Sequence, residues 1–142
     1  MRNRKSKNGE RGASAIEFAV ILPLLLVVLF GIIEFGFVLY NKAVLTNACR
    51  EGARAGIVSA SPRLSESEIA TIVNNYCSTN LISFAATPSA PVVDADVPVA
   101  PSFGDDLSVR VDYDYEFLLI PGFLPGVPQP LSLSAETVMK YE

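Results

Sequence analysis

Hydrophobic and polar positions divide the chain into an apolar N-terminal block and a remainder patterned like a folded domain. Residues 18–33 contain no charged or strongly polar side chain, and the apolar pattern continues to Tyr40. Because a bilayer core about 30 Å thick requires about 20 helical residues, residues 13–40 predict one transmembrane helix. Glu17 and Glu34 bracket the most apolar part and would lie roughly 25 Å apart along a helix.

The remainder, residues 41–142, predicts one small α+β domain. A Ser-x-x-Glu capping box at residues 65–68 opens a short second helix. Strict alternation of apolar and polar residues at 107–117 predicts a half-buried strand. A short strand near residues 92–99 and a returning strand at residues 131–141 complete a small antiparallel sheet.

Prolines mark the predicted connections between these elements. Pro62 ends the long N-terminal helix within residues 59–63, and residues 87–101 are rich in proline and alanine. Residues 121–130 hold four prolines and two glycines, which predicts a loop before the last strand. Pro23 lies inside the apolar block, where it removes one helix hydrogen bond and predicts a bend.

Basic residues concentrate at the N-terminus and predict the orientation of the helix in the membrane. The leader, residues 1–12, carries five basic groups and one acid, a net charge of +4, whereas the remainder sums to −8. Because basic residues favour the cytoplasmic side, we expect a single-pass protein of the bacterial inner membrane with a cytoplasmic N-terminus. Residues beyond about 41 would be periplasmic or extracellular. A cleaved secretory signal fits less well, since the apolar run is too long and an acid, Glu17, leads it.

Composition argues against an enzyme, a metal site and nucleic-acid binding. The chain has no histidine, the commonest general base and metal ligand, and no CxxC spacing or G-x-S-x-G elbow. Its acidic body lacks the basic face that nucleic acid requires. Asp112, Asp114 and Glu116 are interpreted as a solvated strand face. We therefore expect no cofactor, metal or small-molecule substrate, although hydrolysis by a serine with Lys42 or Lys140 stays open.

The head of the apolar block has the form of a processing motif. Gly12 follows the basic leader, and four small or apolar residues separate it from the acid–aromatic pair Glu17 and Phe18. Cleavage after Gly12 would create an α-amino group on Ala13. A glutamate in a membrane helix is costly unless it has a partner, and the amine of a neighbouring subunit would supply one. The alternative is that Glu17 is simply an interfacial acid. Glu34 is interpreted as interfacial, with a specific partner as its alternative.

A stripe of small residues follows the apolar block. Ala48, Gly52 and Gly56 fall at i, i+4 and i+8, so they share one helical face. Each glycine costs about 1 kcal/mol relative to alanine in a helix, which predicts close packing there. The partner is either another helix or subunit or the domain's own sheet; we favour the latter, because the C-terminal half needs a helix to cover it.

Both cysteines, Cys49 and Cys77, fall on the exported side of the predicted membrane helix. Oxidising compartments favour their pairing, and a disulfide closing this loop would stabilise the fold by roughly 3 kcal/mol. The alternative is a pair of buried free thiols.

Two segments of the chain resemble a known family. RGASAIEFAVILPLLLVVLFGIIEFG at residues 11–36 and AVLTNACREGARAGIV at residues 43–58 are similar to the TadE-like family of pseudopilins. The first also resembles the glycine–x4–glutamate–aromatic signal of Flp-type pilins, which belong to the type IV pilin kind. The positions that carry the resemblance are Gly12, Glu17, Phe18, Pro23, Glu34 and residues 48–55.

This resemblance implies a pilin-like fold and a non-catalytic minor pseudopilin of the tight adherence (Flp) pilus machinery. It implies processing by a prepilin peptidase between Gly12 and Ala13, with Glu17 and Phe18 acting in assembly. The implied partners are the inner membrane, the major pilin, other pseudopilins, the prepilin peptidase and the pilus platform proteins. The alternative is an uncleaved single-pass anchor for an interaction domain that joins no filament.

Overall fold

The computed structural model describes residues 7–58, 62–84, 89–118 and 130–141. Two helices and three strands follow one another along the chain: α1 (Lys7–Ile57), α2 (Glu66–Asn80), β1 (Val92–Asp96), β2 (Asp106–Tyr115) and β3 (Leu131–Lys140). The strands form one antiparallel sheet in the order β1-β2-β3. The predicted α+β, pilin-like fold class, with a long N-terminal helix, a short second helix and a small antiparallel sheet, is confirmed.

Helix α1 is a single element of 51 residues that continues through Pro23. At 1.5 Å per residue it is about 75 Å long. Among the described residues it is the one helix long and apolar enough to cross a membrane. Its C-terminal half packs against α2, β2 and β3, so the hydrophobic core of the domain forms along that half alone.

Helix α2 begins at the predicted capping box. The Ser65 backbone N–H donates to Glu68 Oε2 at 2.8 Å, and the Glu68 N–H donates to Ser65 Oγ at 3.4 Å, which satisfies two of the free donors of the first turn. Ile69, Val73 and Cys77 form its buried face. The helix runs antiparallel to α1, since Gly56 and Gly52 of α1 contact its beginning and middle.

The central strand β2 alternates as its sequence predicts. Its inner face is buried against the helices, and it consists of Leu107, Val109, Val111, Tyr113 and Tyr115. The strand ends at Tyr115, where its pairing with Leu131 of β3 ends. Strand β1 ends at Asp96 rather than near residue 99, consistent with Pro98, which cannot donate a ladder hydrogen bond.

Several predicted connections lie outside the described residues. Of the loop predicted at residues 121–130, only Pro130 is described, and residues 59–61 and 85–88 are likewise outside. The described part of α1 ends at Ile57, just before the segment where the sequence predicts that the helix stops.

Candidate functional site

The N-terminal half of α1 carries no covering layer. Every residue from Gly12 to Ile33 is exposed or half-exposed. These 22 residues extend over about 33 Å of helix, which matches the hydrocarbon thickness of a bilayer. On the face of α1 that points away from the domain, Phe35, Leu39 and Tyr40 are also exposed. Apolar surface therefore continues on that face to the predicted boundary at residue 40.

The residues of the predicted processing motif lie on this uncovered half. Gly12 is inside the helix, and a Cβ added to it would meet open space. Ala13 and Glu17 are four residues apart, so they share a face, and both are exposed. Phe18 is exposed beside them. The structure thus leaves the motif open to contact from another chain, while cleavage after Gly12 and a role in assembly stay predictions.

Glu34 lies where the uncovered half of α1 meets the domain, and it is completely buried. The Tyr115 hydroxyl donates to Glu34 Oε1 at 2.7 Å, and the Leu118 backbone N–H donates to the same oxygen at 3.1 Å. Burial of a carboxylate is costly unless hydrogen bonds replace its water. Glu34 therefore fastens the end of β2 to α1, a specific role that the interfacial-acid interpretation did not anticipate.

The phenol of Tyr115 reflects this environment. Burial raises the pKa of Tyr115 well above its usual range, and the hydrogen bond to the Glu34 carboxylate raises it further. The hydroxyl thus stays protonated and remains a donor to Glu34 at any physiological pH.

A second polar clamp lies two turns further along α1. Asn41 is fully buried, its Nδ2 donates to the Ile82 carbonyl oxygen at 2.7 Å, and its Oδ1 accepts from the Ile82 N–H at 3.0 Å. This pair holds the segment after α2 against α1. The sequence analysis missed both Asn41 and Tyr115.

The stripe of small residues faces the chain's own domain. A Cβ added to Gly56 would lie 2.5 Å from Leu107 Cδ2 and 2.7 Å from Ile69 Cδ1, and one added to Gly52 would overlap Val73. Ala48 is also fully buried. Helix α2 and strand β2 thus occupy this face at distances that a side chain would not allow.

Cys49 and Cys77 are buried free thiols in this structure. Cys49 Sγ donates to the Ala135 carbonyl oxygen at 3.3 Å. Burial raises the pKa of each thiol to about 11, and the nearby Cys77 adds to the rise at Cys49. Gly52 contacts Val73. Cys49 lies one turn before Gly52 on α1, and Cys77 lies one turn after Val73 on the antiparallel helix α2. They therefore lie at the same level of the helix pair, and their oxidation to a disulfide stays a prediction.

Charged residues of the sheet pair with one another on its outer surface. Arg110 Nε bonds Asp112 Oδ2 at 3.0 Å, and Lys140 Nζ bonds Asp106 Oδ1 at 2.7 Å. The Ser132 hydroxyl donates to Asp114 at 2.6 Å. The described residues contain no group of three or more candidate metal-ligating side chains. Of the two lysines considered for serine–lysine chemistry, Lys140 is thus held in an ion pair.

Comparison with known proteins identifies the segment that contains these features. Residues 12–54 match the family model described as TadE-like protein. No curated protein and no solved structure matches the chain. The matched segment includes the uncovered half of α1 and both polar clamps on α1, Glu34 and Asn41, whereas α2 and the sheet lie beyond it. The chain therefore carries a TadE-like family domain at residues 12–54, in a pilin-like structural family that is associated with the Tad pilus.

Proposed function

We propose that this protein is a minor pseudopilin of the tight adherence (Flp) pilus machinery, acting as a structural or assembly subunit without catalysis. The observation that carries the proposal is the division of α1 into an uncovered apolar half of bilayer length and a half built into a small domain. A subunit with this division can be stored in the inner membrane and present its domain outside the cytoplasm. The TadE-like match over residues 12–54 supports the same role.

The proposed orientation places the leader in the cytoplasm and the domain in the periplasm or outside the cell. Support comes from the net charge of +4 in residues 1–12, since basic residues are retained on the cytoplasmic side. The domain itself carries surface acids and begins to cover α1 only at Glu34. The proposed partners are the major pilin, other pseudopilins, the prepilin peptidase and the platform proteins of the machine.

Processing between Gly12 and Ala13 is part of this proposal. We expect the protein extracted from membranes of the native host to begin at Ala13, as read by mass spectrometry of the intact chain. Gly12→Ala is expected to leave the leader attached, because Gly12 is the residue before the proposed cut in the signal that this segment resembles. Gly31→Ala is the matched control, since both glycines lie on the uncovered helix with nothing within 4 Å of an added Cβ. A functional protein that still starts at Met1 or Arg2 would contradict the proposal.

The second candidate is a permanently anchored interaction domain that is never cut. One observation favours it: α1 begins at Lys7, so the Gly12–Ala13 bond lies inside a helix, and a peptidase would have to unwind that turn. The same measurement separates the two candidates. An uncut chain found only in the membrane fraction, and absent from sheared pili, favours the anchored domain.

A further inference from the structure

Apolar side chains converge at the end of the domain where α1 becomes uncovered. The Phe84 ring, in the segment after α2, packs edge-on against Phe37 of α1 with 5.0 Å between centroids. The Phe117 ring, just beyond β2, packs edge-on against Tyr115 at 5.6 Å. The N–H of Leu118 is bound to Glu34. Leu118 thus contacts Glu34 directly, Phe117 contacts its partner Tyr115, and Phe84 contacts α1 about one turn further along; we call Phe84, Phe117 and Leu118 the base of the domain.

The base is exposed although its side chains are large and apolar. Phe84 is 39% exposed and Leu118 is 49% exposed, while Phe117 is half-buried. Other exposed apolar side chains of the domain, such as Val92, Phe103 and Val138, lie along the sheet or beyond its far end, and the outer face of the sheet also carries paired charges such as Arg110 and Asp112. Apolar side chains left exposed together at one end of a domain indicate a surface that contacts something other than water.

The continuity of the base with α1 determines what this contact is. The uncovered part of the helix ends at Ile33, and Glu34 is the first buried residue. Because about 33 Å of uncovered helix matches the hydrocarbon core, the base lies at the level of the lipid headgroups. Aromatic side chains are favoured at that level. Glu34, which is buried by the residues of the base, would then lie at the level of the membrane boundary without contacting lipid.

We propose that the base of the exported domain rests on the outer surface of the bilayer and inserts Phe84, Phe117 and Leu118 among the lipid headgroups. The inference rests on the membrane anchoring in the proposed function. It adds a second contact with lipid, made by the folded domain itself, which fixes the height and tilt of the domain above the membrane. The occupant of this surface is the headgroup layer of the membrane that holds α1, rather than another protein.

The absence of tryptophan from the chain makes a direct test possible. Phe84→Trp, Phe117→Trp and Leu118→Trp each create a single fluorescent probe in the full-length chain, which is reconstituted in phosphatidylcholine vesicles. Vesicles with lipids brominated near the headgroup are compared with unbrominated ones. We expect about a twofold loss of emission for each probe, because interfacial aromatic side chains reside at that depth. Leu118→Trp keeps the test valid if a ring substitution disturbs the packing of Phe84 or Phe117.

Two further probes separate the possible outcomes. Phe103→Trp is the matched control: Phe103 is 88% exposed beyond the opposite end of β2, about 30 Å from the base, so its emission should not change with lipid bromination. Phe30→Trp reports on the anchor: it lies about one helical turn inside the outer end of the uncovered segment, so it should be quenched by lipids brominated in the upper part of the acyl chain. An unquenched Phe30→Trp overturns the membrane anchor itself. Quenching of Phe30→Trp without quenching at the base overturns only the present inference.

Discussion

Glu34 is a carboxylate enclosed at the junction between the anchor and the domain, and its two identified donors come from one short stretch at the end of β2. One donor is a phenol and the other a backbone N–H, so substitution can remove the first and leave the second in place. A hydrogen bond to a charged, buried group is worth more than an ordinary one, because its loss leaves the charge poorly solvated.

Removal of the Tyr115 hydroxyl tests this clamp. We expect Tyr115→Phe to lower the free energy of unfolding of the exported domain by about 1–3 kcal/mol, measured by urea denaturation of the detergent-solubilised full chain. Tyr40→Phe is the control, since Tyr40 is exposed on the opposite face of α1. Equal midpoints for the two variants would show that the clamp adds nothing to stability.

The glycines of α1 differ in what surrounds them, and this difference predicts an order of stability. An alanine at Gly52 would overlap Val73, whose β-branched side chain has little freedom to move aside. At Gly56 the nearest atoms are the ends of Leu107 and Ile69, which can shift. Alanine gains up to about 1 kcal/mol in helix propensity at either position, against an overpacking cost of about 1–3 kcal/mol.

We therefore expect Gly52→Ala to destabilise the domain more than Gly56→Ala, by the same urea measurement. Gly36→Ala, where an added Cβ meets nothing within 4 Å, serves as the control and should cause no loss of stability. The idea of close packing at the stripe fails if Gly52→Ala is as stable as Gly36→Ala.

At the scale of elements, one continuous row of buried positions on α1 packs against the rest of the domain. Its buried positions recur every three or four residues from the junction to the glycines, and they are Glu34, Val38, Asn41, Leu45, Ala48, Gly52 and Gly56. The sequence analysis identified the last three positions from their small size. The spacing of four that joins Ala48, Gly52 and Gly56 leads back to Val44 and Tyr40. Only alternating steps of three and four reach Asn41 and Glu34, so the stripe as identified in the sequence did not reveal either clamp.

The partners of these clamps were beyond sequence reasoning. Asn41 bonds a residue 41 positions away, and Glu34 bonds Tyr115 at a separation of 81. Local patterns give the capping box of α2 and the alternation of β2, because both depend on near neighbours. Which strand end meets which helix position depends on the packing of the whole domain, and one sequence read alone does not contain that information.

The antiparallel pairing of α1 and α2 brings Cys49 and Cys77 to the same level, so whether they form a disulfide can be tested. We expect Cys49 and Cys77 to be joined in protein extracted from the native host with a thiol-blocking reagent present. The two thiols would lose two protons and two electrons to the thiol–disulfide exchange catalysts of an oxidising compartment. Reduction should then lower the free energy of unfolding by roughly 3 kcal/mol, whereas the Cys49→Ser, Cys77→Ser double variant should not respond to reductant. Alkylation of both thiols in the denatured, unreduced protein would exclude the disulfide.

At the scale of the whole molecule, the proposed assembly role depends on Glu17, an acid that is exposed in the isolated chain. We expect Glu17→Ala to leave membrane insertion intact but to impair piliation, because the mature N-terminal amine of a neighbouring subunit would lose its partner. Membrane fractionation and counts of surface pili measure the two effects separately. Glu51→Ala, an exposed acid further along α1, is the control, and normal pili in the Glu17 variant would count against the assembly role.

The unbroken course of α1 has a mechanical consequence. Because the helix continues for 51 residues from the leader, through Pro23, into the core of the domain, no break in the helix separates the described part of the anchor from the domain. In the proposed orientation, drawing the 22 uncovered residues out of lipid would lift the domain by about 33 Å. The same withdrawal would pull Phe84, Phe117 and Leu118 off the membrane surface at its very start. The domain would therefore stay in contact with the membrane surface until extraction of the helix begins, and it would leave that surface at the first step of extraction.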